Sequence, residues 1–199
     1  APAGQAGNYT PSTWTCDNGV TVNASKITVP AGTPNVTCEI TNTRKTVNVK
    51  LVKKVDGGGS VAADWTLTAT GPAGSPSYSK PGNHNAFEPI WANAEYTLGE
   101  TAPAGQAGNY TPGTWSCDKG VTVTGGKITV PAGTTDVTCE ITNTRNTAKL
   151  KLVKKVDGGT AVPNDWTLTA TGPNGAPNVS NLGGQGTLTT VWSGVEYTL

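Results

Sequence analysis

Methionine is absent, phenylalanine and histidine occur once each, and no apolar run approaches the roughly 18 residues that a membrane-crossing helix needs. Charge of either sign is scarce: 14 Lys and Arg stand against 13 Asp and Glu, a formal net charge of +1. Such a balance supplies no field to draw in nucleic acid or an anionic membrane, and no Lys/Arg run substitutes for one. One His and no repeated His/Cys/carboxylate cluster disfavour metal-dependent and His-based catalysis, so no metal and no other cofactor is expected. No basic-then-apolar leader and no terminal anchoring motif is evident in these 199 residues.

What fills the chain instead is threonine, 34 residues of it, with 26 Gly and 14 Pro supplying turn punctuation. Period-two patterns recur. Val49, Leu51, Lys53 and Val55 fall on one face, as do Trp65, Leu67 and Ala69, then Tyr96, Leu98 and Glu100, then Val137, Cys139, Ile141 and Asn143. Residues 121–124 and 127–130 flank Gly125 and Gly126, the signature of a two-residue hairpin turn. No window carries a helical stripe of useful length. Short strands with turn signals every 8–12 residues or so predict an all-β, antiparallel β-sandwich.

Sliding the chain against itself exposes an internal repeat. APAGQAGNYTP at Ala1 recurs at Ala102, CEITNTR at Cys38 and Cys139, LVKKVDGG at Leu51 and Leu152, and DWTLTATGP at Asp64 and Asp165. The offset is 101 throughout, with no gap, and about two thirds of the aligned residues are identical. Gly99, Glu100 and Thr101 have no second copy, so the sequence amounts to two periods less a tripeptide. The polar stretches TNTRKTVNV and TNTRNTAKL read as linkers between strand-like runs. Residues 46–145 are then one complete domain, about 100 residues being a usual size. Residues 1–45 are expected to be the C-terminal half of a preceding repeat, and residues 146–199 the N-terminal half of the next. Each half leaves open strand edges, so the halves are expected to pair with each other or with neighbouring chains.

Three apolar faces carry one misplaced polar residue near a strand end: Lys53, Glu100 and Asn143. One reading is a solvated rim, where a lysine snorkels to water. The other is convergence. A lysine amine desolvated against an asparagine amide loses its proton, and a buried neutral carboxyl beside them polarises the amide and shuttles protons. Amine attack then expels ammonia and leaves a covalent Lys–Asn isopeptide bond, formed once by proximity.

KLVKKVDGG from Lys50, DWTLTATGP, YTLGETAPAG from Tyr96 and CEITNTR from Cys139 together resemble the CnaB/SpaA-type, prealbumin-like repeats of Gram-positive and actinobacterial surface proteins and pili. The resemblance covers the whole repeat. It implies a sandwich of about seven strands, often cross-linked by a Lys–Asn or Lys–Asp isopeptide bond with an acidic catalyst. Matched to this sequence, the acid is Glu100 and the acceptor Asn143. For the lysine, the family's spacing points to Lys54 and strand alternation to Lys53; alternation decides, because a residue on the wrong face cannot reach the pocket. In the split repeat Lys154 and Asn42 are the corresponding partners, and their acid falls in the tripeptide without a second copy.

Four cysteines, two per period and 22 apart, predict one disulfide per domain, Cys16–Cys38 and Cys117–Cys139, and an oxidising compartment. Close CxxC spacing for zinc is missing. The disulfide either accompanies the isopeptide or replaces it. His84 reads as a lone exposed loop residue, Asp56 and Asp157 as turn residues, and the divergent segment 73–90 as a surface loop tolerant of change. Asn8, Asn23, Asn35, Asn109 and Asn178 sit in glycosylation sequons, which mean little if the source is bacterial.

The expected function is a structural stalk or fibre module of a tandem-repeat protein on the cell surface, outside the cell. Its partners are neighbouring repeats or identical chains, with no nucleic acid and no membrane insertion. The alternative is an adhesin module whose variable loops bind a host or surface ligand. An enzyme acting on outside substrates finds no nucleophile–base pair, and Thr66, Thr68 and Thr70 form too short a row for an ice-binding face.

Overall fold

The computed structural model describes residues 2 and 4–199, and its regular elements are strands and single turns of 3-10 helix. The first segment carries β1 (Tyr9–Pro11), β2 (Thr15–Cys16), β3 (Val22–Asn23), β4 (Lys26–Ile27), β5 (Cys38–Glu39) and β6 (Asn42–Arg44). They pair antiparallel as β1–β6, β2–β5 and β3–β4. After one residue, Lys45, the long strand β7 (Thr46–Asp56) begins.

Two sheets built from residues 46–145 face each other. The remaining strands of this region are β8 (Thr66–Thr70), β9 (Tyr78–Pro81), β10 (Glu88–Trp91), β11 (Glu95–Thr101), β12 (Tyr110–Pro112), β13 (Ser116–Cys117), β14 (Lys127–Thr129) and β15 (Val137–Arg145). One sheet runs β10–β7–β15–β12, with β13 also on β15; the other runs β14–β11–β8–β9. Alternation sets the inward faces: Val49 and Leu51 of β7, Leu67 and Ala69 of β8, Tyr96 of β11, and Val137 and Cys139 of β15 are all sealed from solvent. The two faces interdigitate into one core that also takes in Tyr78, Ile90, Ile128 and Val130.

The sandwich is not wholly antiparallel. Strands β7 and β15 pair in parallel, Val137 opposite Val49 through Thr144 opposite Asp56. Alternation along a strand fixes which face is buried and carries no information on the direction of its neighbour. The first strand of the expected hairpin shrinks to a single bridge, Thr124 with Lys127, around Gly125 and Gly126, whose φ of 58° and 76° need glycine. The divergent segment 73–90 is no simple loop either. It supplies β9 and most of β10, and its Tyr78 is 2 % exposed because β9 lays that ring onto the core. His84 is correspondingly half-buried, with Nε2 3.0 Å from Glu88 Oε1 and its ring edge-on to Tyr78.

After Asn146 the last segment forms β16 (Thr147–Leu150), β17 (Thr167–Ala170), β18 (Val179–Leu182) and β19 (Thr189–Trp192), paired as β16–β19 and β17–β18 around a small core of Ala170, Val179 and Val191. The expected pairing of the two outer segments with each other does not occur among the described residues, where every strand pair of either segment is internal to it. Because β7 and β15 run parallel, the first segment joins the sandwich at the start of β7 and the last at the far end of β15.

Candidate functional site

Lys53, Glu100 and Asn143 meet inside the sandwich. Lys53 stands opposite Ile141 in the β7–β15 register, which puts its inward side chain on the same face as Asn143, two residues further along β15. Glu100 descends from β11 of the facing sheet, where it pairs with Leu67. Lys53 Nζ donates to Glu100 Oε2 at 2.5 Å, and Asn143 Nδ2 donates to Glu100 Oε1 at 2.7 Å. Lys53 is 4 % exposed and Asn143 2 % exposed, so neither forms the solvated rim that strand ends suggested. Lys54, the other lysine in question, points outward and pairs with Glu140 at 2.8 Å.

The pocket walls explain the chemistry open to these groups. Lys53 Nζ lies 4.1 Å from the centroid of the Trp65 ring, and Trp65, 2 % exposed, meets Tyr110 edge-on at 5.6 Å. Gly82 closes the side: its carbonyl accepts from Lys53 N–H at 3.1 Å, its N–H donates to Trp65 O at 2.8 Å, and a Cβ there would stand 2.5 Å from Lys53 Cβ. Burial in this wall holds the Lys53 amine below its ordinary value of 10.5, opposed by the hydrogen bond and charge of Glu100. Asn143 Oδ1 is buried without a hydrogen-bond partner among the described residues. An uncompensated amide oxygen beside a depressed amine and a carboxylate is an unstable arrangement for a mere structural triad.

Trp65 and Gly82 were not singled out from sequence. The signal for Trp65 was present, since it shares the inward period of Leu67 and Ala69 on the strand facing Lys53; Gly82 lies in the divergent segment and had none.

Both expected disulfides are formed, Cys16–Cys38 and Cys117–Cys139. The second joins β13 to β15, and its Cys139 is fully buried in the core. The structure does not bring Lys154 and Asn42 together. Asn42 is exposed on β6 opposite Pro11, whereas Lys154 lies over the Trp166 ring at 4.7 Å, and the two outer segments sit at opposite ends of the sandwich. No hydrogen bond or ion pair links Lys154 to a carboxylate among the described residues, and none of these residues forms a cluster of three or more His, Cys, Asp or Glu suited to a metal.

Family comparison agrees with this architecture. The SpaA-type family described as a prealbumin-like fold domain matches three successive stretches, residues 1–40, 44–141 and 145–199. The chain belongs to that family. Among solved structures, this prealbumin-like chain is similar to a bacterial adhesin from Mobiluncus mulieris containing intramolecular disulfide, isopeptide and ester bond cross-links. The identity is 16 % and the TM-score 0.38, over 63 % of this chain and 53 % of that one, so the chain spans about half the length of that adhesin. No curated protein sequence matches the chain.

Proposed function

We propose that the chain is a piece of a tandem-repeat stalk or fibre exposed on the cell surface, each repeat a β-sandwich stapled by a disulfide and by an autocatalytic Lys–Asn isopeptide bond. The repeat has a period of 101 residues; residues 46–145 form one complete unit, and residues 1–45 and 146–199 are halves of its neighbours. The observation that carries this reading is the buried contact of Lys53 and Asn143 with one carboxylate, Glu100.

The reaction proceeds once per unit. Lys53 passes a proton to Glu100, leaving a neutral amine that the surrounding wall favours. With the Asn143 amide turned so that Oδ1 faces the protonated carboxyl, Glu100 donates to that oxygen and draws electron density from Cγ. Nζ attacks Cγ, the Nζ–Cγ bond forms, and a second Nζ proton travels through Glu100 to Nδ2. The Cγ–Nδ2 bond breaks and ammonia leaves. The product has neither a buried ammonium nor an orphaned primary amide, so the chemistry removes the two groups that burial penalises most.

Intact mass on the reduced protein tests this directly. Loss of ammonia lowers the mass by about 17 Da, and Glu100→Ala restores the full value, since the proton shuttle is gone. An unshifted mass in the unmodified protein would leave the disulfide as the unit's covalent staple and defeat the isopeptide reading.

A further inference from the structure

Lys45 and Asn146, the single residues that separate the sandwich from its outer segments, sit in matching hydrogen-bond settings 101 positions apart. Lys45 N–H donates to Asn8 O at 2.9 Å, and Lys45 O accepts from Ala92 N–H at 3.0 Å. Asn146 N–H donates to Asn109 O at 2.9 Å, and Asn146 O accepts from Ser193 N–H at 3.1 Å. Each connecting residue is therefore bonded backward to the segment it leaves and forward to the segment it enters.

Immediately before each of them stands an arginine, Arg44 or Arg145, and the chain contains no other arginine. The Arg44 guanidinium lies 5.3 Å from the Tyr9 ring and 5.1 Å from the Trp91 ring; Arg145 lies 5.3 Å from Tyr110 and 5.2 Å from Trp192. In both cases the tyrosine belongs to the side the chain leaves and the tryptophan to the side it enters. Nη2 then donates across the boundary, to Ala92 O at 2.9 Å and to Ser193 O at 2.7 Å. Neither guanidinium is in an ion pair with a carboxylate among the described residues. Strand register places each tryptophan: Trp91 is opposite Thr46 in β10–β7, and Trp192 opposite Thr147 in β19–β16.

We propose that the two ends of each unit are complementary docking surfaces, whose partner is the next copy of the same unit, and that the arginine clamp fixes the rotation between them. This rests on the tandem-repeat reading above and deepens it. A planar cation held between aromatic faces from both sides resists twisting as well as separation, because either motion slides a ring off the guanidinium. A one-residue connection whose N–H and C=O are both bonded leaves no flexible linker to absorb such motion. Applying the same head-to-tail geometry at successive joints generates a rigid screw of constant rotation and rise, not domains swinging on a string. The two joints differ in detail: Asn93 Nδ2 donates to Asn8 Oδ1 at 2.9 Å where Gly194 stands at the other joint, while Arg145 Nη1 donates to Asn109 O at 3.1 Å and Thr111 Oγ1 to Asn146 Oδ1 at 2.6 Å.

Residual dipolar couplings and amide exchange on the full 199-residue chain test the clamp. One alignment tensor should fit β1–β6, β7–β15 and β16–β19 together, with the Ala92 and Ser193 amides protected. Arg44→Ala combined with Arg145→Ala should split the tensors and speed exchange at those two amides about tenfold, while Leu51 and Ile141 stay protected. If core protection also falls, Trp192→Ala decides, because that ring lies outside both hydrophobic clusters; it should release the last segment alone. Separate tensors in the unmodified chain, or an unchanged alignment and Ser193 exchange in Trp192→Ala, would overturn the proposal. Binding to a glycan or matrix array would count against the stalk reading and leave these couplings as they are.

Discussion

Lys53 and Asn143 are offset by two residues in the parallel register of β7 and β15, and Glu100 bridges that offset, accepting from Lys53 Nζ on Oε2 and from Asn143 Nδ2 on Oε1. A lysine one position along the strand points to the other face, as Lys54 does, and does not arrive. The geometry makes the identity of the cross-linking lysine a sharp experimental question.

Lys53→Ala and Asn143→Ala should each abolish the loss of ammonia and lower the melting temperature, with intact mass and calorimetry as readouts. Lys54→Ala removes an exposed pair with Glu140 and should retain the mass loss, changing stability by no more than about 0.5 kcal/mol. Retained cross-linking in Lys53→Ala would transfer the role to Lys54.

Alkaline pH should favour the unreacted fold. The folded Lys53 amine titrates below its ordinary value of 10.5, so near that pH the unfolded chain binds more protons than the folded one. The stability this group contributes is therefore complete above 10.5 and is lost as pH falls through the depressed folded value. Asn143→Ala, which cannot cross-link, should gain stability relative to Asn143→Ala/Lys53→Met as pH rises from about 7 to about 10. Burial raises the Tyr78 hydroxyl and works in the opposite sense, and it cancels because both variants share it. A flat difference in urea midpoints across this range would contradict the assignment.

Reducing the Cys117–Cys139 bridge should cost roughly 3 kcal/mol in the chain-entropy treatment of a loop this size. Cys139 is sealed in the core, whereas Cys16 and Cys38 are both partly exposed. Under a mild thiol reductant, peptide mapping should find Cys16–Cys38 opened first.

Gly82→Ala should act on the site through the Lys53 stem. The added methyl would meet Ala62 O and Lys53 Cβ, each at 2.5 Å, and the first of these is backbone that does not yield easily. A destabilisation of about 1–3 kcal/mol is expected, with slower cross-linking because the Lys53 stem is displaced. Denaturant melts and a time course of intact mass measure the two effects separately.

Much of the site was visible as period-two patterning. Leu51 and Val55 bracket Lys53, Leu98 precedes Glu100, and Ile141 precedes Asn143, so strand alternation alone turned all three inward and chose Lys53 over Lys54. Neighbours across strands were not visible in the same way. The parallel pairing of β7 with β15 joins residues nearly a whole unit apart, and nothing local encodes its direction. Strand β9 was hidden because polar Ser79 and Lys80 dilute the signal of Tyr78. Arg44 and Arg145 read as linker polarity, since their aromatic partners come from distant strands on both sides of each joint.

The parallel arrangement of β7 and β15 has a mechanical corollary. Tension applied through the neighbouring segments enters the unit at Thr46 and leaves it at Arg145, at opposite ends. With the proposed bond in place, that tension crosses from Lys53 directly to Asn143. Residues 46–53 and 143–145 then carry all of it, while the intervening strands, the hydrophobic core and the Cys117–Cys139 bridge hang beside the line of force. A unit wired in this way cannot pay out its length when pulled, because the stretch of chain that would unravel is short-circuited by a single lysine side chain.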